Sequence, residues 1–246
     1  MNALTSVTSR LFDSVIASVG NLKESESEER SYEIFKATFF INAILFAMVC
    51  GGLLCSFNAF IAIWVGESWQ FPLDVVVLIV LLFYVKGMRN AALTFTSAYG
   101  LYWYTRWKAV LEAISLPALA FILVFPLGIK GVLLAGVASS VCIATMYEAW
   151  AVYRHGFHRP LRRFAIAYVK YTAVSFASIA LAYVICMLIP VGGIVAFFLY
   201  GFIGVAVPGA VYVLLFRSTP EFSELKRQVG GITGRFSAKF KKKKAE

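Results

Sequence analysis

Leu73-Asp-Val-Val-Val-Leu-Ile-Val-Leu-Leu-Phe-Tyr-Val85, followed by Lys86-Gly-Met-Arg-Asn90 and then Ala-Ala-Leu-Thr-Phe-Thr-Ser97, decides the fold. From Val75 to Val85 the chain is apolar without a break. A half-buried strand alternates apolar and polar residues, and this segment does not. Its length suits a helix crossing the hydrocarbon core, which takes roughly 20 residues at 1.5 Å each. Lys86 then falls about 20 Å along that helix from Leu73. Arg89, Asn90, Thr94 and Ser97 follow at three- and four-residue offsets, so they share a helical face with Lys86.

The rest of the 246-residue chain reads the same way. Hydrophobic residues make up 60% and charged residues only 15%, with a mean hydropathy of +0.78. A soluble domain is about half apolar and a quarter charged. The excess excludes an ordinary cytosolic enzyme, a disordered tail and a coiled coil. It predicts an all-α polytopic membrane bundle of about seven spans, near 3–19, 34–65, 73–99, 109–125, 129–152, 164–189 and 192–216, with a basic tail over 217–246. Pro117 and Pro208 fall inside spans, where they are expected to bend them.

Direction follows from lysine and arginine. The stretches 20–36, 86–108 and 153–170 and the tail hold 21 of the 23 basic residues, whereas the intervening loops hold only Lys130. Arg10 lies inside the first span. The asymmetry predicts an external N-terminus and a cytoplasmic C-terminus. It also accounts for the net charge of +10 without nucleic acid; Lys241–Lys244 fit anionic membrane lipids, worth about 1 kcal/mol per basic residue. Met1 is followed by a Ser/Thr-rich stretch that does not resemble a cleavable signal. A polar first span with an external start predicts that further helices precede it in a larger transporter.

Ionisable groups at membrane depth are functional candidates, because lipid tolerates them poorly. Arg10 and Asp13 lie on a polar stripe with Thr5, Ser6 and Ser9. That stripe fits a hydrated cavity, in which a guanidinium can grip a phosphate through two hydrogen bonds; an Arg10–Asp13 ion pair is the structural alternative. Lys86, Arg89 and Asn90 are the second set of candidate anion contacts, with snorkelling to the inner headgroups as the alternative. Glu112, four residues after Lys108, and Glu148 could pair with basic neighbours or carry a proton. Arg106 and Lys108 among Tyr102, Trp103, Tyr104 and Trp107 read as an interfacial belt. The cysteines Cys50, Cys55, Cys142 and Cys186 all sit in apolar runs, without metal or disulfide spacing. With two histidines and no catalytic triad or phosphate loop, neither catalysis nor a metal or other cofactor is expected.

Several motifs have a family look. Ser14-Val-Ile-Ala-Ser-Val-Gly-Asn-Leu22 and Tyr32-Glu-Ile-Phe-Lys36 come first; Phe60-Ile-Ala-Ile-Trp-Val-Gly-Glu67 and Gly87-Met-Arg-Asn90 follow. Thr94-Phe-Thr-Ser-Ala-Tyr-Gly-Leu101, with Arg106, Lys108 and Glu112, and the turn Gly128-Ile-Lys-Gly131 complete the set. Over about residues 1–190 the chain resembles the polysaccharide repeat-unit flippases of the multidrug/oligosaccharidyl-lipid/polysaccharide exporter superfamily.

The resemblance implies a two-lobed bundle around a central cavity, of which this chain supplies the C-terminal lobe. The missing N-terminal lobe becomes the expected partner, and the chain alone is not expected to transport. The implied cargo is an undecaprenyl-diphosphate-linked oligosaccharide, moved across the bacterial plasma membrane for capsule or exopolysaccharide synthesis. Two other readings stay open: a drug or cation antiporter of the same superfamily, and a complete seven-span receptor-like protein.

Overall fold

A computed structural model describes residues 28–224. The expected first span, with Arg10 and Asp13, and the lysine-rich end of the tail lie outside them. The described residues form an all-α, membrane-embedded bundle containing six helices long and apolar enough to cross a bilayer. In lipid every backbone amide needs an internal partner, and a helix supplies it within the segment.

Helix α1 (Glu28–Trp64) is followed by α2 (Leu73–Met88) and α3 (Asn90–Ala98), which together make one span. Helix α4 (Tyr102–Leu127) then turns into a span made of α5 (Ile129–Ser139), a wide π turn at Ser140–Thr145, α6 (Met146–Ala151) and a second π turn at Val152–Gly156. Helices α7 (Arg162–Met187) and α8 (Gly193–Phe216) complete the bundle. At 37 residues, α1 is about 55 Å long at 1.5 Å per residue. The hydrocarbon core is about 30 Å thick, so α1 outruns it.

Helix α1 is the central post. Its Phe35, Phe39, Phe40 and Phe46 are almost fully buried. Phe35 alone meets Phe95, Tyr153 and Phe157 at ring distances of 5.0–5.5 Å. On another face α1 crosses α8 where both helices carry glycine. A Cβ placed on Gly51 would lie 2.2 Å from the Gly204 carbonyl oxygen, and one on Gly204 would lie 2.4 Å from that of Gly51. Small residues let the two backbones touch, as membrane helices often require where no water is excluded by their association. Helices α2, α7 and α8 are also joined by a buried hydroxyl chain. Tyr84 donates to Ser175 at 3.1 Å, Ser175 lies 2.8 Å from the Tyr212 hydroxyl, and Tyr212 donates to the Tyr171 carbonyl at 2.9 Å.

Helix α4 differs from the others in having no buried residue. It is folded back onto α5 through Gly128, whose φ of +56° favours glycine. Gly131 then sits so close to the Leu123 carbonyl that a Cβ would approach it to 2.0 Å.

Ion pairs gather the connections into two ends. At one end Arg159 pairs with Glu29, and Arg30 bonds Glu224 at 3.1 Å. At the other end Lys130 pairs with Asp74, and Asn58 donates to the Phe71 carbonyl at 2.8 Å. Tyr200 there donates to the Ile189 carbonyl at 2.7 Å. The basic stretches near Arg30 and Arg159 therefore share one end, and the loops around Phe71, Lys130 and Ile189 share the other.

Candidate functional site

The buried charges converge where α2 passes into α3. Arg89 occupies the break between these helices. The break is supported from α1: Asn42 donates its amide to the Gly87 carbonyl at 3.0 Å. A Cβ on Gly87 would meet the Phe46 ring, with ring carbons as near as 1.9 Å, so a larger residue there would push the ring aside. The backbone at Arg89 is thus held by a hydrogen bond on one side and an aromatic ring on the other.

From this position the Arg89 guanidinium reaches two carboxylates. Its Nε donates to Glu148 Oε2 at 3.1 Å and its Nη2 to Glu148 Oε1 at 2.7 Å, a bidentate fork. Its Nη1 donates to Glu112 Oε1 at 3.1 Å. Lys108 closes the set by donating to Glu148 Oε1. Two cations and two anions form a quartet of zero net charge, and neutrality is what permits such groups at membrane depth.

Burial grades across the quartet. The Glu148 side chain is 1% exposed, Arg89 11%, Lys108 17% and Glu112 28%. Glu148 is the sealed centre, bonded by both cations, and Glu112 is the arm nearest the surface. The helix carrying Glu148 is widened by a π turn on each side. Such turns are rare and gather at functional sites.

Neither a family model, nor a curated protein, nor a solved structure matches this chain.

The site candidates separate into groups. Arg89, Glu112 and Glu148 come together, although the first was expected to contact an anion and the other two to serve as coupling or pairing acids. Lys86 stands apart: it is exposed and makes no hydrogen bond or ion pair among the described residues. Asn90 is half-buried beside it. Thr94, expected on the same open face, is buried, and its hydroxyl returns to the Asn90 carbonyl at 2.8 Å. Arg10 and Asp13 lie outside the described residues.

Lys108, expected in an interfacial belt and as a possible basic neighbour of Glu112, pairs with Glu148. Its ammonium turns inward while Arg106 lies over the Trp103 ring at 3.8 Å. Its four-residue spacing to Glu112 was the available signal that this stretch of α4 carries charge toward the bundle. The hydroxyl chain through Tyr84, Ser175 and Tyr212 had no comparable signal, since lone tyrosines and serines in apolar runs carry no spacing rule.

Chemically, the arrangement separates a fixed pair from an exchangeable one. Arg89 and Glu148 are locked by two parallel hydrogen bonds. Glu112 holds a single guanidinium nitrogen from a more open position, so an incoming anion can compete for that nitrogen. Lys86, one helical turn before Asn90, offers an ammonium with no carboxylate to displace among the described residues.

Proposed function

We propose that this membrane-embedded bundle is one lobe of a transporter for an anionic, lipid-linked oligosaccharide. On the strength of the resemblance, the cargo is an undecaprenyl-diphosphate-linked repeat unit flipped across the bacterial plasma membrane in capsule or exopolysaccharide synthesis. The lobe works with a second lobe, and the two rock around the substrate in alternating access. No bond is made or broken.

The observation that carries this reading is Lys86. It is a cation at membrane depth, on the surface of the bundle, without a counter-charge among the described residues. A diphosphate supplies the missing charge. Asn90 adds a neutral hydrogen-bonding group on the same face, and the Glu112 arm of Arg89 adds a position where phosphate can exchange for carboxylate. A cation antiporter is supported less well, because Glu112 and Glu148 are both already held by Arg89 or Lys108.

Lys86→Ala should weaken binding of undecaprenyl diphosphate to the protein in lipid nanodiscs by roughly 10- to 150-fold, the equivalent of one charge-assisted hydrogen bond. Lys86→Arg should keep most of the affinity, and Lys130→Ala, at the far end, should leave it unchanged. Native mass spectrometry with undecaprenol as the uncharged comparator reads the difference. Unaltered affinity in a folded Lys86→Ala protein removes Lys86 from the site.

The proposed orientation has its own test. Single cysteines at positions 29 and 159, in a background without the native four, should react with an impermeant maleimide only from the cytoplasmic side. Cysteines at 68 and 191 should react from outside in intact cells. External labelling at 159 reverses the assignment.

A further inference from the structure

The helical face that presents Lys86 has an apolar continuation. Ile79 lies seven residues before Lys86, two turns away, so both fall on one line of α2. Lys86 is exposed at one end of that line, and Ile79 is half-buried at the other. Ile79 and Phe83 line a cavity of about 220 Å3, whose further walls include Phe57 and Phe60 on α1 and Phe197 on α8. Phe60 and Phe197 close one side, with ring centres 5.8 Å apart. Ser56 adds a hydroxyl to this lining, but that hydroxyl already donates to the Gly52 carbonyl at 2.7 Å. The cavity therefore suits a ligand group that makes no hydrogen bonds.

Its position relative to Lys86 supplies the second half of a site. Along α2, Phe83 and Ile79 are about 4.5 and about 10.5 Å from Lys86, on the side toward Leu73. The end of the bundle that holds Arg30 and Arg159 lies in the opposite direction. A lipid that enters from that basic end, with its phosphate at Lys86, points its chain toward the cavity. A cation and an apolar recess on one helix line are thus complementary to the head and the chain of one anionic lipid.

We propose that the cavity between α1, α2 and α8 binds the first isoprene units of the lipid whose diphosphate sits at Lys86. The inference rests on the transport reading above and extends it from the head of the cargo to its tail. In a bilayer the tail gains little by leaving other hydrocarbon. The gain comes from dispersion contacts with rings held in place by the bundle. It is therefore modest in affinity and acts mainly on register: a chain seated in the cavity fixes how far the diphosphate reaches along α2.

The test uses the full chain in lipid nanodiscs and native mass spectrometry, with undecaprenyl diphosphate and undecaprenol as ligands. Ile79→Trp, which fills the cavity, should weaken both ligands by roughly three- to tenfold, because the tail is common to them. Val77→Trp, at an exposed position of the same helix, should weaken neither, and Lys86→Ala should weaken the diphosphate alone. A folded Ile79→Trp protein that binds both ligands like the wild type overturns the cavity, whatever Lys86→Ala does. Weakening by Ile79→Trp without any effect of Lys86→Ala upholds the cavity and removes the anion reading. Equal weakening of phosphatidylglycerol by Ile79→Trp overturns the assignment to an isoprenoid. Independently of any variant, geranylgeranyl diphosphate carrying a diazirine in its second isoprene unit should label peptides containing Phe57 or Phe197 of the wild-type chain on illumination. Label absent from both peptides overturns the proposal.

Discussion

Glu148→Ala should be among the most damaging single changes in this bundle, costing about 3–5 kcal/mol of stability, as removal of one partner from a buried ion pair does. The loss comes less from the missing contacts than from what stays behind. Arg89 keeps only Glu112, on one nitrogen, and Lys108 loses its partner. A region that was neutral acquires a positive charge it cannot solvate. Thermal unfolding in nanodiscs should record a large fall in the midpoint.

The decisive comparison is the double replacement Arg89→Met with Glu148→Met. It removes one charge of each sign and leaves Lys108 and Glu112 to pair at four-residue spacing. Apolar replacement of a whole buried pair is often neutral or stabilising, so the double variant should recover most of the stability lost by Glu148→Ala. A double variant as unstable as the single one would show that shape, not charge balance, governs the site. In the transport reading that same double variant should be stable yet impaired, since the exchangeable arm of Arg89 is gone.

Gly51→Ala and Gly204→Ala should have effects of similar size by a different route. The atoms that a new Cβ would meet at 2.2–2.4 Å are backbone carbonyl oxygens of the facing helix. Backbone in a hydrogen-bonded helix cannot yield as a side chain can, so α1 and α8 must separate along the crossing. Overpacking typically costs 1–3 kcal/mol, and about 3 kcal/mol or more is expected where backbone meets backbone. Gly201→Ala, one turn from Gly204 on the same helix, meets nothing nearer than 3.7 Å and should change the unfolding midpoint little. Equal tolerance at positions 201 and 204 would mean that the helices do not cross in contact.

These two sites mark the limit of what the chain discloses before folding. The spans among the described residues were legible because a continuous apolar run is a local property. The expected spans 73–99 and 192–216 differ from Leu73–Ala98 and Gly193–Phe216 by one residue or none at each end. Other borders moved by more, and α7 stops at Met187, short of the expected 189 and before Pro190. The described part of α1 includes the charged turns before the apolar run at Ile34, and Arg159 and Glu224 tie them at the end of the bundle. Helix α4 begins at Tyr102 because the aromatic and basic belt is itself helical.

The quartet was half legible. Lys108 and Glu112 announce themselves by helical spacing, but Arg89 and Glu148 lie 59 residues apart, and no single-sequence rule joins them. The π turns around Glu148 left no trace in composition. Nor did the meeting of Gly51 with Gly204, since a glycine in an apolar run reads alike whether it faces lipid or another backbone.

The tight reversal at Gly128 bears on how the protein is assembled. Helices α4 and α5 are joined by a single residue between them and pressed together at Gly131 and Leu123. Such a hairpin can leave the insertion machinery as one body. With the rest of the span that α5 begins, it contains Lys108, Glu112 and Glu148, the lysine bonded across to Glu148. Two of its three charges thus enter the bilayer as a pair, and one negative charge remains in excess. Arg89, waiting on the previously inserted span, cancels that excess when the hairpin docks. A hairpin docked in the wrong register should leave both the carboxylate and the guanidinium without a counter-charge.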